Sequence, residues 1–172
     1  MGTAEVVKGR TAKRHGGLGK TGPAAKRRGG VSEAAPAVSA DQLRELLDQT
    51  LREVDADERA GSLLRAARIR MRLRIPDLGM VLNVAPSDEA DHHLRWTFSE
   101  EGGPPKLDLT MDSRVANAYF QGTESLAIAI ARRRAQASGD ARCALLYVPA
   151  LRLVVEKYRR LVSERHPELA VD

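Results

Sequence analysis

The sequence is poor in cysteine and in aromatic residues. Cys143 is its single cysteine, so an intramolecular disulfide is excluded, which fits a reducing compartment. A lone cysteine inside an apolar stretch is typical of a small buried hydrophobic residue. Aromatic residues make up 3% of the chain, so a core must be built mainly from Leu, Ile, Val, Met and Ala.

Long hydrophobic runs are also missing. A transmembrane helix needs roughly 18 or more consecutive apolar residues, and the sequence has no such run. The basic N-terminus has no apolar stretch behind it, so a secretory signal is not expected. The sequence therefore predicts a cytoplasmic protein.

Positive charge is concentrated at the N-terminus. The first 30 residues carry eight basic side chains and one acidic side chain, whereas the remainder carries 20 basic and 22 acidic ones. Residues 1–38 have too few large apolar side chains to offset the entropy of ordering, so they are predicted to form a disordered basic tail. Such a tail can bind an anionic membrane, or nucleic acid weakly through its phosphates, although it lacks aromatic residues for base stacking. It can equally serve only to keep the chain soluble.

Residues 39–57 are predicted to form an amphipathic N-terminal helix together with the residues that end it. Ser39 and Gln42 have the spacing of a capping box, and leucines follow with a 3.6-residue period. The opposite face is charged, so the helix has one narrow apolar stripe that must pack against something. Residues 55–57 and Gly61 indicate a break after this helix.

Four segments of alternating polarity follow, and a period of two predicts half-buried strands. The first covers 67–75, where apolar residues alternate with arginine, and it ends in a Pro-Asp-Leu-Gly turn at 76–79. Further strands are predicted over 80–84, 94–98 and 107–111. The connections between successive strands indicate an antiparallel meander.

The pattern then changes from strands to helices. Asp112 or Ser113 is predicted to cap a helix that ends at Gly122. Thr123 is predicted to open the next helix, which has an apolar surface. The chain thus adds its helices after most of its strands.

A short edge strand is predicted over 133–137, and a last helical region over 141–162 is predicted to be interrupted or kinked at Pro149. Strands followed by helices predict an α+β fold, in which a sheet is covered by helices on one face.

The second half of the chain contains segments found together in a known family. Residues 109–122 read Leu-Thr-Met-Asp-Ser-Arg-Val-Ala-Asn-Ala-Tyr-Phe-Gln-Gly, and residues 126–132 read Leu-Ala-Ile-Ala-Ile-Ala-Arg. Residues 135–140 read Ala-Gln-Ala-Ser-Gly-Asp and precede a closing helix with Tyr158-Arg159. In this order the segments resemble the sterol carrier protein 2 family in its small, single-domain bacterial form.

This resemblance implies an α+β domain over 58–165, with a mainly antiparallel sheet of about five strands, helices on one face and a short tail at 166–172. It also implies an apolar tunnel for lipid transport, whose expected partner is a fatty acid, a sterol or an acyl-CoA-like molecule. The same apolar positions would also suit a filled core, so both interiors stay open. The candidate tunnel residues are Met71, Leu73, Met80, Leu82, Trp96, Phe98, Leu109, Met111, Tyr119, Phe120, Leu126, Ile130, Leu145 and Val148.

No catalytic constellation is found in the sequence. Residues 16–21 resemble a phosphate-binding loop, but Arg14 stands where the first glycine belongs and no strand precedes it. His92 and His93 are neighbours at a strand start and would face opposite sides, so they do not suit one metal ion. The sequence therefore predicts a protein without enzymatic activity, metal or cofactor.

Arginines form a stripe on the first predicted strand. Arg68, Arg70, Arg72 and Arg74 alternate with apolar residues, so they are expected to share its outer face. This stripe is a candidate surface for an anionic membrane or an acidic protein partner. Acidic neighbours on adjacent strands could instead neutralise it.

Three functions agree with these features. The first is a noncatalytic binding or carrier protein that holds a lipid or another hydrophobic small molecule. The alternative is a protein-partner adaptor that works through its surface, with the helix at 39–54 and the basic tail binding an acidic partner or nucleic acid. An enzyme with a lipid-like substrate would need residues that the sequence does not reveal.

Overall fold

The computed structural model describes residues 37–68 and 70–171. The predicted disordered tail therefore lies outside the described residues up to position 36, as does Ile69 of the first predicted strand. The helices are α1 Ala40–Asp55, α2 Glu58–Ala67, α3 Ser113–Phe120, α4 Leu126–Ala131 and α5 Ala141–Arg165, and the strands are β1 Met71–Ile75, β2 Met80–Pro86, β3 Leu94–Thr97, β4 Leu107–Met111 and β5 Ala135–Gly139.

Helix α1 begins where its capping residues predict. The Ser39 hydroxyl accepts a hydrogen bond from the Gln42 backbone N–H, and the Gln42 side chain accepts one from the Ser39 N–H. Val38 and Leu43 on either side of the cap are both buried in the core, at the spacing of a hydrophobic staple. The predicted capping box is confirmed.

Helix α2 is not among the predicted elements, and the break placed at Gly61 is wrong. Gly61 lies inside α2, where it leaves room for the ring of His93, since a Cβ there would come within 2.3 Å of His93 Cδ2. The helix ends at Ala67, and its C-cap Arg68 has a left-handed φ of 50°. Strand β1 therefore begins at Met71 rather than at residue 67.

The five strands form one sheet in the order β3-β2-β1-β4-β5. The hairpins from β1 to β2 and from β2 to β3 are antiparallel as predicted, but β4 pairs in parallel with β1. The predicted antiparallel meander is therefore wrong for β4, the last of its four strands. The segment between β3 and β4 carries the chain across the sheet. In the parallel pairing Arg72 lies opposite Asp108, and Arg72 Nη1 lies 4.0 Å from Asp108 Oδ2 in an ion pair. The mainly antiparallel sheet is confirmed.

The helices after β4 follow the prediction with shifted bounds. Asp112 caps α3 through the Val115 N–H, as predicted. Helix α4 begins at Leu126, after the predicted start at Thr123. Helix α5 is a single element of 25 residues, so the last helical region is not interrupted at Pro149, and a kink there stays a prediction.

The core lies between one face of the sheet and the packed helices α1, α2 and α5. Leu73, Leu82 and Leu109 point from the three central strands into this layer and are at most 3% exposed. The α+β architecture with helices over one sheet face is confirmed. None of the described helices is both long enough and apolar enough to cross a membrane.

A polar network anchors the C-terminal segment to the core. Asn117 of α3 and Gln121, the C-cap of that helix, both donate hydrogen bonds to the backbone oxygen of Leu169, at 3.0 and 2.8 Å. The Asn117 oxygen accepts from the Tyr158 hydroxyl of α5 and from Gln121. Leu169 itself is 1% exposed, so this segment is packed into the domain.

Candidate ligand cavity

An apolar cavity lies between the helix-facing side of the sheet and the helices. Its volume is about 90 Å³. All of its lining residues are apolar except Thr50 and Tyr119. The lining residues are Leu47, Thr50, Leu51, Leu64, Met71, Leu73, Leu82, Val84, Leu107, Leu109, Tyr119, Phe120, Leu126, Leu151 and Val154.

Half of the candidate tunnel residues surround this cavity. The strands contribute Met71, Leu73, Leu82 and Leu109, because these positions point toward the helix layer. The helices contribute Tyr119 and Phe120 of α3 and Leu126 of α4.

The other candidates on the sheet lie elsewhere. Met80 and Met111 are buried in the core without lining the cavity. The indole N–H of Trp96 donates to Asp48 on α1, which turns the ring toward the helix surface.

Candidates at the periphery of the domain also lie away from the cavity. The ring of Phe98 packs under the guanidinium of Arg44 at 4.9 Å, in a cation–π contact. Ile130 and Val148 are 39% and 49% exposed. The side chain of Leu145 lies outside the described residues.

Several lining residues are absent from the sequence-based candidates. Leu47 and Leu51 belong to the apolar stripe of α1, which the sequence shows clearly but which by itself predicts only a helix that docks on something. Leu64 belongs to α2, so it could not be found without that helix. The α1 stripe is the signal that could have identified one wall of the cavity.

The two polar side chains in the wall differ in their bonding. The Thr50 hydroxyl donates to the Leu46 backbone oxygen at 2.6 Å, so its proton is already used. The Tyr119 hydroxyl has no hydrogen bond within the described part of the chain. Burial raises the pKa of Tyr119 to about 12, so this phenol stays protonated at neutral pH and is free to donate to a ligand.

Helix α4 covers one side of the cavity and contributes both buried and exposed residues. Leu126 lines the cavity and Ala129 is fully buried, whereas Ile128 is 47% exposed. Glu124 before the helix and Arg134 after it form a buried ion pair that closes the segment.

The strand arginines of the predicted stripe are paired with acids. Arg72 hydrogen-bonds to Asn83 at 2.9 Å and lies within ion-pair distance of Asp108. Arg74 pairs with Glu100 at 2.9 Å and lies 3.7 Å from Asp108. Their charge is thus largely compensated on the outer sheet face. Arg70 precedes β1, and its guanidinium lies beside Gly103, whose backbone oxygen also accepts a hydrogen bond from Arg72. Arg68 is the C-cap of α2 and not a strand residue.

His92 and His93 connect the loop before β3 to the junction of α1 and α2. His92 Nδ1 lies 2.6 Å from Asp55 Oδ2, and the backbone N–H groups of His93 and Leu94 donate to Asp55 Oδ1. His93 Nε2 lies 3.2 Å from Glu58. The two rings therefore have separate acidic partners and do not converge on one point. The hydrogen bond to Asp55 and the charge of that carboxylate raise the pKa of His92 above its ordinary value.

Replacing His92 by glutamine is expected to reduce the free energy of unfolding more at acidic than at alkaline pH. The raised pKa means that His92 stabilises the fold fully below its unfolded pKa of about 6.5, and that this contribution disappears as pH rises through the folded pKa. Urea unfolding at about pH 5.5 and about pH 8.5 measures the difference. An equal effect at both pH values would contradict the pairing, and Asp55→Asn is the control in which the pH dependence should vanish.

Comparison with known proteins supports the fold. Neither a protein-family model nor a curated protein matches the sequence. A conserved hypothetical protein and suggested sterol carrier protein from Thermus thermophilus matches with a TM-score of 0.51 and 13% identity, over 76% of this chain and 92% of that one. The sterol carrier protein domain 2 of Helicoverpa armigera matches with a TM-score of 0.50 and 13% identity, over 65% of this chain and 87% of that one. The chain thus has the fold of sterol carrier protein 2 domains.

A larger enzyme contains a similar region. The sec-alkylsulfatase Pisa1 from Pseudomonas sp. matches over 54% of this chain with a TM-score of 0.45 and 10% identity. The chain spans 14% of the length of that enzyme.

Proposed function

We propose that the chain is a noncatalytic carrier that holds a hydrophobic small molecule in the apolar cavity. The observation that carries this proposal is the cavity itself, whose wall is almost entirely aliphatic or aromatic. Burial of apolar ligand surface there contributes roughly 25 cal/mol per Å² before the cost of association. The sterol-carrier fold of the chain supports the same function.

The size of the cavity limits what it can hold without rearrangement. Its volume of about 90 Å³ is well below the roughly 300–1,000 Å³ of pockets that enclose drug-sized ligands. It therefore accommodates the end of an acyl chain, and a longer chain requires the wall to open. Helix α4 is suited to this movement, because it buries Ala129 while Ile128 and Ile130 are already exposed.

The chemistry of the wall supports carriage rather than catalysis. The described lining residues include no carboxylate, imidazole or thiol that could act as a general base or nucleophile. The Thr50 hydroxyl is bonded to the Leu46 oxygen, and the Tyr119 phenol remains protonated at neutral pH. Tyr119 can orient a polar group of a ligand, but it is not a base.

The adaptor hypothesis has less support than the carrier. It uses the apolar stripe of α1 as a docking face, but Leu43, Leu46 and Leu47 of this stripe are at most 2% exposed within the domain. An external partner cannot reach that stripe while the domain is folded. The basic tail remains a prediction for binding an acidic partner.

Native mass spectrometry and calorimetric titration with 1-decanol and longer fatty alcohols test the carrier directly. We expect saturable binding of one molecule per chain, with a negative heat-capacity change that marks burial of apolar surface. Absence of saturable binding for every chain length would contradict the carrier function.

A cavity-filling variant provides a sharper test. Leu126→Trp places a large ring at the cavity wall, so we expect the affinity for 1-decanol to fall at least about tenfold, or about 1.4 kcal/mol. Ile128→Trp is the matched control, because this residue lies on the exposed side of the same helix and should leave affinity unchanged. Equal affinities of the two variants, both folded by circular dichroism, would place the ligand elsewhere.

A further inference from the structure

Strand β5 forms an open edge of the sheet. In the strand order it stands last, pairs with β4 on one side, and has no other partner among the described strands. All of its residues from Gln136 to Gly139 are exposed. Ala137 lies opposite Leu109 and points to the same side, yet Leu109 is 3% exposed. The helix layer that covers the sheet therefore stops short of β5.

The main chain of β5 has hydrogen-bonding groups that face away from the sheet. The Asp140 N–H donates to the Lys106 oxygen, so the main chain of Asp140 points toward β4. Main-chain groups alternate in direction along a strand, and the register between β5 and β4 is unbroken. Ala135 and Ala137 lie an odd number of positions from Asp140, so their N–H and C=O groups point outward. An added strand would pair with these groups.

The two edges of the sheet differ in their protection. Proteins protect edge strands with charged side chains, proline or a covering element. Strand β3, at the other edge, carries Arg95, and its Trp96 is bonded to Asp48 of α1. Strand β5 reads Ala-Gln-Ala-Ser-Gly and carries neither a charge nor a proline. Its small side chains leave room for a second strand close to its backbone.

Positive charge flanks this open edge at both ends. Arg132 and Arg133 precede β5, and Lys106 lies at its far end, where its oxygen accepts the Asp140 N–H. These three basic side chains are exposed. None of them lies within ion-pair distance of a carboxylate in the described part of the chain.

The acids nearest to the edge are already paired. Glu124 forms an ion pair with Arg134, and Asp140 lies 3.0 Å from Arg142. The hydrogen bond from Arg142 lowers the pKa of Asp140, and the charge of Lys106 adds to this effect. The edge therefore keeps a surplus of positive charge. A second copy of β5 would bring like charges together, whereas an acidic strand would meet opposite charge.

Apolar surface is available on the helix that packs against β5. Helix α4 contacts β5, and its Ala129 oxygen accepts a hydrogen bond from the Arg134 N–H just before the strand. Ile128 and Ile130 of this helix are exposed. A strand added at the edge thus has apolar side chains nearby on the helix side of the sheet.

We propose that the open edge of β5 binds an extended acidic segment of another protein, which joins the sheet as a further strand. Hydrogen bonds to the main chain of Ala135 and Ala137 supply the affinity, as in other cases of strand addition. Arg132, Arg133 and Lys106 select for acidic residues at the ends of that segment. This surface is separate from the apolar cavity, so the inference does not depend on the carrier function.

The probe is a fluorescein-labelled peptide of alternating valine and threonine with a pair of glutamates at each end. Its binding to the full chain is measured by fluorescence anisotropy at low ionic strength. One control peptide has lysines in place of the glutamates. Another has prolines in place of the threonines, so it keeps the charge but cannot pair as a strand.

Variants of the chain test the edge itself. Ala137→Pro removes an outward N–H, and proline is tolerated on an edge strand where the N–H faces solvent. Ala137→Thr is the matched control, because it keeps the N–H. Arg132→Gln/Arg133→Gln removes the flanking charge, and its matched control, Arg152→Gln/Arg159→Gln, removes the same charge from exposed positions of α5. Circular dichroism verifies that each variant is folded.

We expect the full chain to bind the acidic peptide at least about tenfold tighter than either control peptide. Ala137→Pro should weaken that binding at least about tenfold, and Ala137→Thr should leave it nearly unchanged. Arg132→Gln/Arg133→Gln should weaken it severalfold, whereas the α5 control should not. Added salt should weaken it too, because the flanking charges are exposed to water.

Three outcomes would overturn the proposal. The first is absence of saturable binding by the acidic peptide. The second is equal binding of the acidic peptide and its proline form, which would mean attraction by charge alone, for example at the basic N-terminal residues. The third is a dimer in sedimentation that Ala137→Pro converts to a monomer, since a second copy would then occupy the edge. If Ala137→Pro fails to fold, the peptide pair and the arginine variant still decide.

Discussion

Replacing Asn117 by alanine is expected to lower the free energy of unfolding by about 3 kcal/mol, because it leaves buried polar groups without partners. Asn117 is fully buried, and its side-chain oxygen accepts hydrogen bonds from Tyr158 and Gln121. Its side-chain nitrogen donates to the Leu169 backbone oxygen. Alanine would deprive the Tyr158 hydroxyl of its acceptor and leave a small cavity at the junction of α3, α5 and the C-terminal segment.

Tyr158→Phe is the matched control for Asn117→Ala. It removes the donor together with its bond, while Asn117 keeps its contacts with Gln121 and Leu169. We expect a loss of about 1 kcal/mol, since no buried group is left wholly unpaired. Urea unfolding of both variants measures the difference. A loss for Asn117→Ala no larger than that for Tyr158→Phe would show that the network contributes little beyond a single hydrogen bond.

Replacing Gly139 by alanine is expected to cost about 3 kcal/mol or more, because strain and a steric clash act together. Gly139 has a φ of +100°, which L-residues rarely adopt. A Cβ there would lie 2.2 Å from the backbone oxygen of Lys106, which also accepts a hydrogen bond from the Asp140 N–H. The backbone of β4 cannot move away without weakening its pairing with β5.

Gly79→Ala separates these two causes. Gly79 also has a positive φ, of 59°, but nothing lies within 4 Å of the position where its Cβ would be. We therefore expect a cost of about 1 kcal/mol from backbone strain alone. Thermal and urea unfolding of the two variants would reveal the clash as the excess at Gly139. Equal costs would contradict the close contact between Gly139 and Lys106.

Elements that depend on neighbouring residues follow from the sequence. Ser39 with Gln42, and Asp112 with Val115, form the predicted helix caps because a cap needs partners only three residues away. Gly79 ends its turn in the left-handed conformation for an equally local reason. The alternation of polarity likewise places β2, β3 and β4 within a residue or two of their observed bounds.

Elements that depend on distant residues do not follow from the sequence. Gly61 is unfavourable in a helix by local propensity, yet it lies inside α2, at a position where the ring of the distant residue His93 leaves no room for a Cβ. The parallel pairing of β4 with β1 depends on contacts between residues such as Leu73 and Leu109. The alternation of polar and apolar residues along a strand is the same whether the neighbouring strand runs parallel or antiparallel, so it cannot distinguish the two kinds of pairing.

The sequence by itself determined the caps, the strand periodicity, the concentration of basic residues at the N-terminus and the apolar character of the interior. Only the tertiary structure decided that Leu47 and Leu64 join the strand residues around a cavity, while Ile130 faces solvent. It also decided that Arg72 lies within ion-pair distance of Asp108, a residue 36 positions away on the neighbouring strand. The physical reason is that residue type and spacing set local conformation, whereas a cavity or an ion pair between strands is made by side chains that meet only when distant segments pack.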